Sequence, residues 1–354
     1  MSFLVADVGG TNTRIAVTQQ ARAGRPGPSV RLRNDDFADF TELLAAWRAR
    51  QAPPPLAGAC IAVAGPVSAG QARLTNRDWA FPPAEIAAAL DLAPGRPVRL
   101  INDLAAQGHA LAHLGGGQLA DLRAAAPEAA PPPPRQGNGQ ALVVGLGTGF
   151  NICLVARGAS GAIVAEAELG HASLPQRVAA ALAKALGPDA ARFDSNESLF
   201  SGRGLTRLYQ LVSGGQSRAG EAVIAAYDPA WGGAETRSVD LMADLLGLLA
   251  RELFYVYLPL GGIHFAGGAA RGILGSPARA RFLAAFDRPG AFGDQAARVP
   301  LRLITDDAAA LTGAAVLAAA DGGGPGGQGE GGGPDDAQGG FGAAPGLRRQ
   351  RPSA

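Results

Sequence analysis

Two stretches of this chain repeat one pattern, and that pattern constrains the fold more than any other feature. Each consists of an apolar run, a turn rich in glycine and threonine, and a second apolar run: FLVADVGGTNTRIAV at 3–17 and ALVVGLGTGFNICLV at 141–155. Two apolar runs joined at a glycine turn are typical of a β-hairpin. The repetition therefore suggests two similar domains that face each other.

Predicted strands and helices alternate along much of the chain. Strands are predicted at 3–8, 14–18, 59–64, 98–102, 141–145, 152–157, 262–266 and 301–305, and helices at 36–50, 83–90, 103–113, 174–186 and 238–257. This alternation indicates α/β layers with largely parallel sheets. Two segments lack it: 124–140 is predicted to be a proline-rich surface loop, and 321–354 a disordered glycine-rich tail.

Composition excludes several classes of function. The chain is 47% hydrophobic and 17% charged, with a net charge of +1. This balance provides no basic surface for nucleic acid or an anionic membrane, so neither partner is expected. No run reaches the roughly 18–20 apolar residues of a membrane span, and the first residues lack a secretory signal pattern. We expect a cytoplasmic protein in which Cys60 and Cys153 are reduced core residues.

The first glycine turn points to a ligand. Gly9 and Gly10 leave backbone N–H groups open because no Cβ shields them, and converging N–H donors suit a phosphate group. Asp7, just ahead of the turn, can hold Mg²⁺ through water, and the metal can then bridge to phosphate oxygens. The alternative interpretation is an ordinary glycine hairpin with an aspartate at the end of its strand.

Two further glycine clusters extend this hypothesis. The second turn, GLGTG at 145–149, offers the same kind of N–H donors as the first. Gly267 and Gly268 follow the apolar strand IHFA, where the absence of side chains would let a flat ring lie against the backbone. The sequence therefore predicts two phosphate-binding turns and a later site for a planar base.

The order of these features resembles the nucleotide site of the actin, sugar-kinase and heat-shock ATPase superfamily. Within that superfamily, the chain is most similar to the glucokinases of proteobacteria. The similarity spans roughly 3–320 and is carried by LVADVGGTNTRIAV, AVAGPV, LTNRDWAF, LINDLAAQGHAL, VVGLGTGFNICLV, ELGHASLP, NESLFSGRGLTRLY and GGIHFAGGAARGIL.

The resemblance implies an α/β fold of two actin-like (ribonuclease H-like) domains with a cleft between them. The small domain would comprise 1–108 and 306–320, the large domain 109–305, and the connecting helices would be 103–113 and 306–320. ATP would be bound with Mg²⁺, and Asp7 would hold the metal, through water. The ATP-binding residues implied are Ala6, Asp7, Val8, Gly9, Gly10, Thr11, Gly145, Gly147, Thr148, Gly149, Gly267 and Gly268.

The resemblance also implies a substrate and a reaction. Asp103 would be the general base that accepts the proton of the glucose 6-hydroxyl as ATP is converted to ADP and glucose to glucose 6-phosphate. The sugar would be held by Asn102, Asp103, Glu168, His171 and Glu197, and the enzyme could be a homodimer. The residues alone leave simpler interpretations open, since Asp103 could be a helix N-cap and the glutamates surface or capping carboxylates.

Departures from the family pattern leave alternatives. Leu169 stands where relatives usually have glycine in Glu-Gly-Gly-His, and Asn151 stands in place of a further glycine after the second turn. If Leu169 reshapes the sugar pocket, the substrate could be another hexose or an amino sugar instead of glucose. A sugar-binding sensor without catalysis is a third hypothesis, which the retention of Asp103 opposes. Asn76 is either a sugar contact or a turn residue. The cysteines are not spaced as ligand pairs, so no structural zinc is expected.

Overall fold

A computed structural model describes residues 1–68, 70–74, 77–123, 137–159, 161–290 and 294–321. The described chain is an α/β protein built on two large sheets and one two-stranded hairpin. Its strands are β1 (Ser2–Val8), β2 (Asn12–Gln19), β3 (Val30–Arg33), β4 (Leu56–Val63), β5 (Val67–Ser68), β6 (Gln71–Ala72), β7 (Val98–Asn102), β8 (Leu119–Asp121), β9 (Gln140–Leu146), β10 (Phe150–Gly158), β11 (Gly161–Glu166), β12 (Ile263–Ala266) and β13 (Leu301–Ile304).

Helices cover both sheets. The helix predicted at 103–113 ends at Ala110. The helices are α1 (Phe40–Gln51), α2 (Pro83–Ala89), α3 (Asp103–Ala110), α4 (Gln176–Leu186), α5 (Asn196–Leu199), α6 (Gly202–Val212), α7 (Gly220–Ala225), α8 (Ala234–Tyr257), α9 (Gly268–Leu274), α10 (Arg279–Phe286), α11 (Asp294–Arg298) and α12 (Ala309–Asp321). None of the helices in the described ranges is both long enough and apolar enough to cross a membrane.

The two large sheets have the same internal order. The first runs β3-β2-β1-β4-β7, in which β1, β2 and β3 are antiparallel neighbours and β4 and β7 are parallel to β1. The second runs β11-β10-β9-β12-β13 with β8 added at its edge, and it repeats the pattern of antiparallel hairpins followed by parallel strands. The predicted repeat of the glycine hairpin is therefore confirmed: β1 and β2 form one copy, and β9 and β10 form the other.

Parallel pairing sets the position of the functional residues. In the first sheet Val8 lies beside Val63, and Val63 lies beside Asn102. The carboxyl ends of β1, β4 and β7 therefore meet at one edge, where ligands of open α/β sheets bind. In the second sheet Ala266 lies beside Gly145, so the ends of β9 and β12 meet in the same way.

Apolar side chains of the described residues pack in four clusters, and two of these hold α3 between the sheets. One cluster packs α3 and α12 on the first sheet, through Ala106 and Ala314 among others. Another packs the opposite side of α3 on the second sheet, through Leu104, Val143 and Cys153. Both cysteines are free and buried, as predicted. α3 is thus held between the two sheets, and its first residue is Asp103.

Some predicted boundaries differ from the structure for local reasons. The helix predicted at 36–50 begins at Phe40, because the Asp39 side chain accepts a hydrogen bond from the Glu42 N–H and caps the helix there. α12 continues to Asp321, the first residue of the predicted tail. Most of the predicted proline-rich loop (124–136) and the remaining tail (322–354) lie outside the described residues. The domain boundaries stay a prediction.

Candidate active site

The first glycine turn is held in place by a buried asparagine. Asn34 donates from Nδ2 to the Gly9 carbonyl at 2.7 Å, and its Oδ1 accepts from the Thr13 hydroxyl at 2.8 Å. Its backbone N–H donates to the Thr11 carbonyl at 2.9 Å. The turn is therefore fixed from outside, so Gly10 and Thr11 keep their place at the tip without a ligand.

Asp7 lies at the end of β1 in a setting that disfavours its charge. Burial, as the largest cause, together with the nearby carboxylates of Asp103 and Asp307 raises the pKa of its carboxyl to about 7. Arg14, its partner across the hairpin, opposes this shift from 3.6 Å. A site that concentrates carboxylates with one compensating arginine attracts a cation, and oxygen donors of this type suit Mg²⁺. Among the described residues, no three His, Cys, Asp or Glu side chains form a group that could hold a metal ion.

Asp103 is the first residue of α3, and the cap of that helix is its neighbour. The side-chain oxygen Oδ1 of Asn102 accepts from the N–H groups of Leu104 at 2.9 Å and Ala105 at 3.2 Å. The Asn102 amide donates to the Gly65 carbonyl at 3.0 Å. The interpretation of Asp103 as the N-cap is therefore wrong, because Asn102 has that role and leaves Asp103 one residue further on.

The Asp103 carboxyl is suited to exchange a proton near neutral pH. Burial raises its pKa to about 6, and the Leu104 N–H, which donates to its Oδ1 at 2.9 Å, opposes this rise. A group with this pKa is largely ionised at pH 7 and is still a better proton acceptor than an ordinary aspartate.

The second glycine turn lies directly against the helix of Asp103. A Cβ placed on Gly145 would lie 3.0 Å from Cδ1 of Leu104, the residue after Asp103. The Cys153 thiol on β10 donates to the Leu104 carbonyl at 3.3 Å. The absence of a side chain at Gly145 therefore lets α3 approach the strand that leads into the second turn, and brings Asp103 to that turn.

The third glycine cluster packs on the second turn. Gly267 has φ +98°, and a Cβ at this position would lie 2.4 Å from the Leu146 carbonyl oxygen and 3.2 Å from the Gly147 nitrogen. No residue with a side chain fits such a contact without displacement. The predicted site for a planar base is therefore contiguous with the predicted phosphate turn.

Ion pairs connect the first turn to the third cluster. Asp307, ahead of α12, lies 3.4 Å from Arg14 and 2.5 Å from Arg271 on α9. Arg14 in turn is paired with Asp7. This chain of charges links the end of β1 to the helix that begins at Gly268, so all three glycine features belong to one region. Sequence reasoning assigned no role to Arg14, Asp307 or Arg271, whose distant positions gave no signal of this contact.

Glu197 contacts the second turn. Its Oε2 accepts from the Phe150 N–H at 3.1 Å, and its Oε1 accepts from Arg203 at 2.9 Å. A Cβ on Gly149 would lie 2.6 Å from the Glu197 carboxylate, so this glycine is needed for the contact. Glu197, which the sequence predicts to bind the sugar, therefore also supports the predicted phosphate-binding turn.

The ELGH segment is positioned by two asparagines. Asn151 donates from Nδ2 to Glu168 at 3.1 Å, and its Oδ1 accepts from the Leu169 N–H at 3.1 Å. Asn196 donates from Nδ2 to the Leu169 carbonyl at 3.0 Å. Leu169 packs against the apolar cluster of the second sheet. Sequence reasoning noted Asn151 only as a departure from the family pattern and missed Asn196 altogether.

The remaining predicted residues fall into three groups. Ala6 and Val8 are fully buried, so they can offer a ligand only their backbone. Thr148 and His171 are exposed, and His171 ends a short 3₁₀ turn at Leu169–His171. Asn76 lies outside the described residues. The structure thus brings the glycine turns, Asp7, Asp103 and Glu197 to one region, and places Glu168 beside it through Asn151.

The fold and this site define an actin-like sugar kinase of two α/β domains with a cleft between them. A glucokinase from an Antarctic psychrotroph superimposes with a TM-score of 0.71 and 28% identity, over 89% of this chain and 98% of that one. A glucokinase from Balamuthia mandrillaris, in complex with glucose, has the same fold with a TM-score of 0.69 and 20% identity, over 90% and 93%. A ROK family glucokinase from Streptomyces griseus, in complex with glucose and AMPPNP, superimposes with a TM-score of 0.57 and 20% identity, over 90% of this chain and 99% of that one.

Sequence comparison identifies the family. The Glucokinase family model matches residues 4–321. Glucokinase from Chelativorans sp. (strain BNC1) is 28% identical over 321 residues, covering 88% of this chain and 90% of its own. Glucokinase from Sinorhizobium medicae (strain WSM419) is 29% identical over 331 residues, covering 88% and 91%. This chain belongs to the glucokinase family, which confirms the resemblance seen in its motifs.

Proposed function

We propose that this chain transfers the γ-phosphoryl group of ATP to the 6-hydroxyl of D-glucose, with Asp103 as general base. Membership of the glucokinase family supports the reaction. The position of Asp103 supports its role: it begins the helix that packs against the second glycine turn, and its pKa is raised to about 6. The products are ADP and glucose 6-phosphate.

Asp103 acts on the attacking hydroxyl group. Its carboxylate accepts a hydrogen bond from the sugar hydroxyl, orients the oxygen toward the phosphorus atom, and takes the proton as the new P–O bond forms. The transition state of phosphoryl transfer is loose, so the proton leaves late and the position of the base matters more than its strength. Asn102 caps the helix and so fixes the direction in which Asp103 enters the site.

The glycine turns hold the nucleotide. The N–H groups of Gly9 and Gly147 donate within their own turns, to the carbonyls of Asn12 and Gly149. The N–H groups of Gly10 and Thr11 and of Thr148 and Gly149 would therefore bind the phosphates, and Gly267 and Gly268 would leave space for adenine. Asp7 would hold Mg²⁺, and Asp103 and Asp307 add to the negative field there. Mg²⁺ bound there would supply positive charge against the phosphates.

Glu168, His171 and Glu197 hold the sugar, together with Asn102 and Asp103. Glu168 keeps one oxygen on Asn151, and a carboxylate has capacity for further donors such as sugar hydroxyls. Leu169 packs its side chain against the apolar cluster of the second sheet and so does not reshape the sugar site. This supports glucose as the substrate rather than another hexose or an amino sugar. A cytoplasmic location and a homodimer stay predictions from the sequence.

The substitution Asp103→Asn tests the general base. It preserves the shape of the side chain and removes the proton acceptor, so we expect turnover to fall by about 10²–10⁴-fold while glucose binding persists. Coupled ADP release gives turnover, and calorimetry gives sugar affinity. Asp91→Asn is the matched control, because Asp91 is exposed and has φ +56°, a conformation that asparagine also tolerates. Near-normal turnover of the Asp103 variant would show that another group accepts the proton.

The pH profile tests the same assignment without a substitution. Protonated Asp103 cannot accept a proton, so kcat/KM for glucose should rise with pH through about 6, the folded-state pKa of Asp103, and then level off. A profile that falls over this range would contradict the proposal.

The substitution Glu168→Gln tests the sugar site. We expect KM for glucose to rise about tenfold with a smaller change in turnover, because the lost charge-assisted hydrogen bonds hold the ground state as well as the transition state. Assays with glucose, mannose, fructose and N-acetylated sugars determine which sugar the enzyme prefers as substrate. Glu85→Gln, at an exposed position in the first turn of α2, is the control. An unchanged KM would remove Glu168 from the sugar site.

A further inference from the structure

A cavity of about 1010 Å³ lies at the end of the second sheet away from the glycine turns. It is bordered by Gln140 and Ala141 at the start of β9, whereas the second turn follows the end of that strand at Leu146. Gly147 lies six positions beyond Ala141 along the strand, a distance of about 20 Å. The cavity is therefore distinct from the proposed active site, and its volume is that of a site for a small organic molecule.

The cavity lies on the face of the sheet that α3 covers. His264 on β12 pairs in register with Val143 on β9 and with Arg302 on β13, so these residues share one face. Val143 packs against Leu104 and Ala110 of α3 in the same cluster. Gly108 and Leu111 form the opposite wall. The helix that begins with Asp103 thus ends at this cavity.

His264 gives the cavity a polar group without a partner. Its side chain lines the cavity, the residue is 4% exposed, and its Nδ1 has no hydrogen-bond partner in the described part of the protein. Burial and the charge of Arg302 lower its pKa to about 4, so the ring is neutral at pH 7. A buried polar atom without a partner is costly, and a ligand group that hydrogen-bonds to it is correspondingly stabilised.

Charge selects the class of ligand. Arg157, Arg298 and Arg302 line the cavity, and no acidic side chain is among its described lining residues. Arg302 is paired with Asp121 at 3.0 Å, while Arg157 has no carboxylate partner in the part of the chain that the structure describes. Guanidinium groups bind carboxylates well, since their N–H donors match both oxygens.

Apolar residues complete the lining. Leu111, Val155, Val299 and Pro300 surround the space between the arginines and the helix. We propose that this cavity binds a small carboxylic acid with an apolar body. The carboxylate contacts Arg157, the apolar body fills the space against α3, and His264 lies beside the bound acid.

Binding of 3-phenylpropanoate to the full-length protein tests the proposal, with uncharged 3-phenylpropanamide as the matched probe. The chain has only 4 histidines, so the His264 ring proton can be assigned by NMR with a His264→Gln variant. We expect a saturable shift of this resonance with the acid, an affinity for the amide at least about tenfold weaker, and no displacement of the acid by glucose or ATP.

Substitutions locate the carboxylate. Arg157→Gln should weaken binding of the acid about tenfold and leave the amide unchanged, because only the acid uses the guanidinium charge. Arg50→Gln, at an exposed arginine on α1, should change neither. Equal affinity for acid and amide, displacement by glucose or ATP, or no saturable shift up to about 10 mM acid would each overturn the proposal. Weaker binding at higher protein concentration would also overturn it, since a second copy of the chain would then fill the cavity.

Discussion

The two glycine hairpins have the same topology but depend on different chemistry. Equivalent positions in the two patterns are occupied by Asp7 in the first hairpin and Gly145 in the second. Asp7 faces Arg14 across its hairpin, whereas Gly145 faces Asn151 and lies against Leu104 of α3. The first hairpin therefore provides charge to the site, and the second provides space for the helix that carries Asp103.

The two turns are also braced in different ways. Side-chain hydrogen bonds from Asn34 and Thr13 hold the first turn. The second is held largely by close backbone approach, since the Gly202 N–H donates to the Gly147 carbonyl at 2.8 Å and Gly267 packs on Leu146. Loss of a polar group should therefore damage the first turn, and an added methyl group should damage the second.

Removal of the Asp7 charge should have the largest effect on stability. The folded-state pKa of Asp7 is about 7, above the ordinary value of 3.8, so the folded protein retains a proton that the unfolded chain releases. Stability of the wild type therefore falls as pH rises from about 4 to 7. We expect Asp7→Asn, without Mg²⁺ and nucleotide, to exceed the wild type in free energy of unfolding by about 4 kcal/mol at pH 8 and to match it near pH 3.

Urea unfolding at several pH values measures this difference. Asp36→Asn, an exposed carboxylate before α1, should change the free energy of unfolding by less than about 0.5 kcal/mol. The Asp7 variant should also need more Mg²⁺ for half-maximal ADP release. If the difference in unfolding free energy is independent of pH, the first hairpin does not bear the charge assigned to it.

The second turn should be sensitive to a single methyl group. Gly267→Ala places a Cβ 2.4 Å from the Leu146 carbonyl oxygen at φ +98°, and we expect a loss of about 2–3 kcal/mol. Gly268→Ala is the control within the same pair, because a Cβ there meets nothing within 4 Å. Thermal unfolding of the two variants tests this. Equal stability of the two would show that close approach does not hold this turn.

Removal of the Asn34 side chain, which holds the first turn, should lower the free energy of unfolding by less than Gly267→Ala does. Asn34→Ala removes the partner of the Gly9 carbonyl and the Thr13 hydroxyl, and we expect a loss of about 1–2 kcal/mol. Thr13→Val removes one of these bonds and should lose about half as much. Denaturant unfolding provides both values. An Asn34 variant as stable as the wild type would place the brace elsewhere.

Much of the fold could be predicted because its signals are local. The hairpins and most strands and helices lie where periodicity and glycine turns placed them, and Val98–Asn102 matches its predicted bounds. The end of that strand also indicated the position of Asp103. The choice between Asn102 and Asp103 as helix cap could not be made from the sequence, because both residue types cap helices and only the geometry of the first turn distinguishes them.

The sequence by itself determined the elements, the repeated hairpin and the order of the motifs, since turn residues and hydrophobic periodicity act over a few neighbouring positions. The tertiary structure decided which distant groups meet: Glu197 with Phe150, Arg14 with Asp307, and Gly267 with Leu146. Such contacts depend on how whole helices and strands pack. No local pattern encodes a contact between Arg14 and Asp307, which lie 293 positions apart.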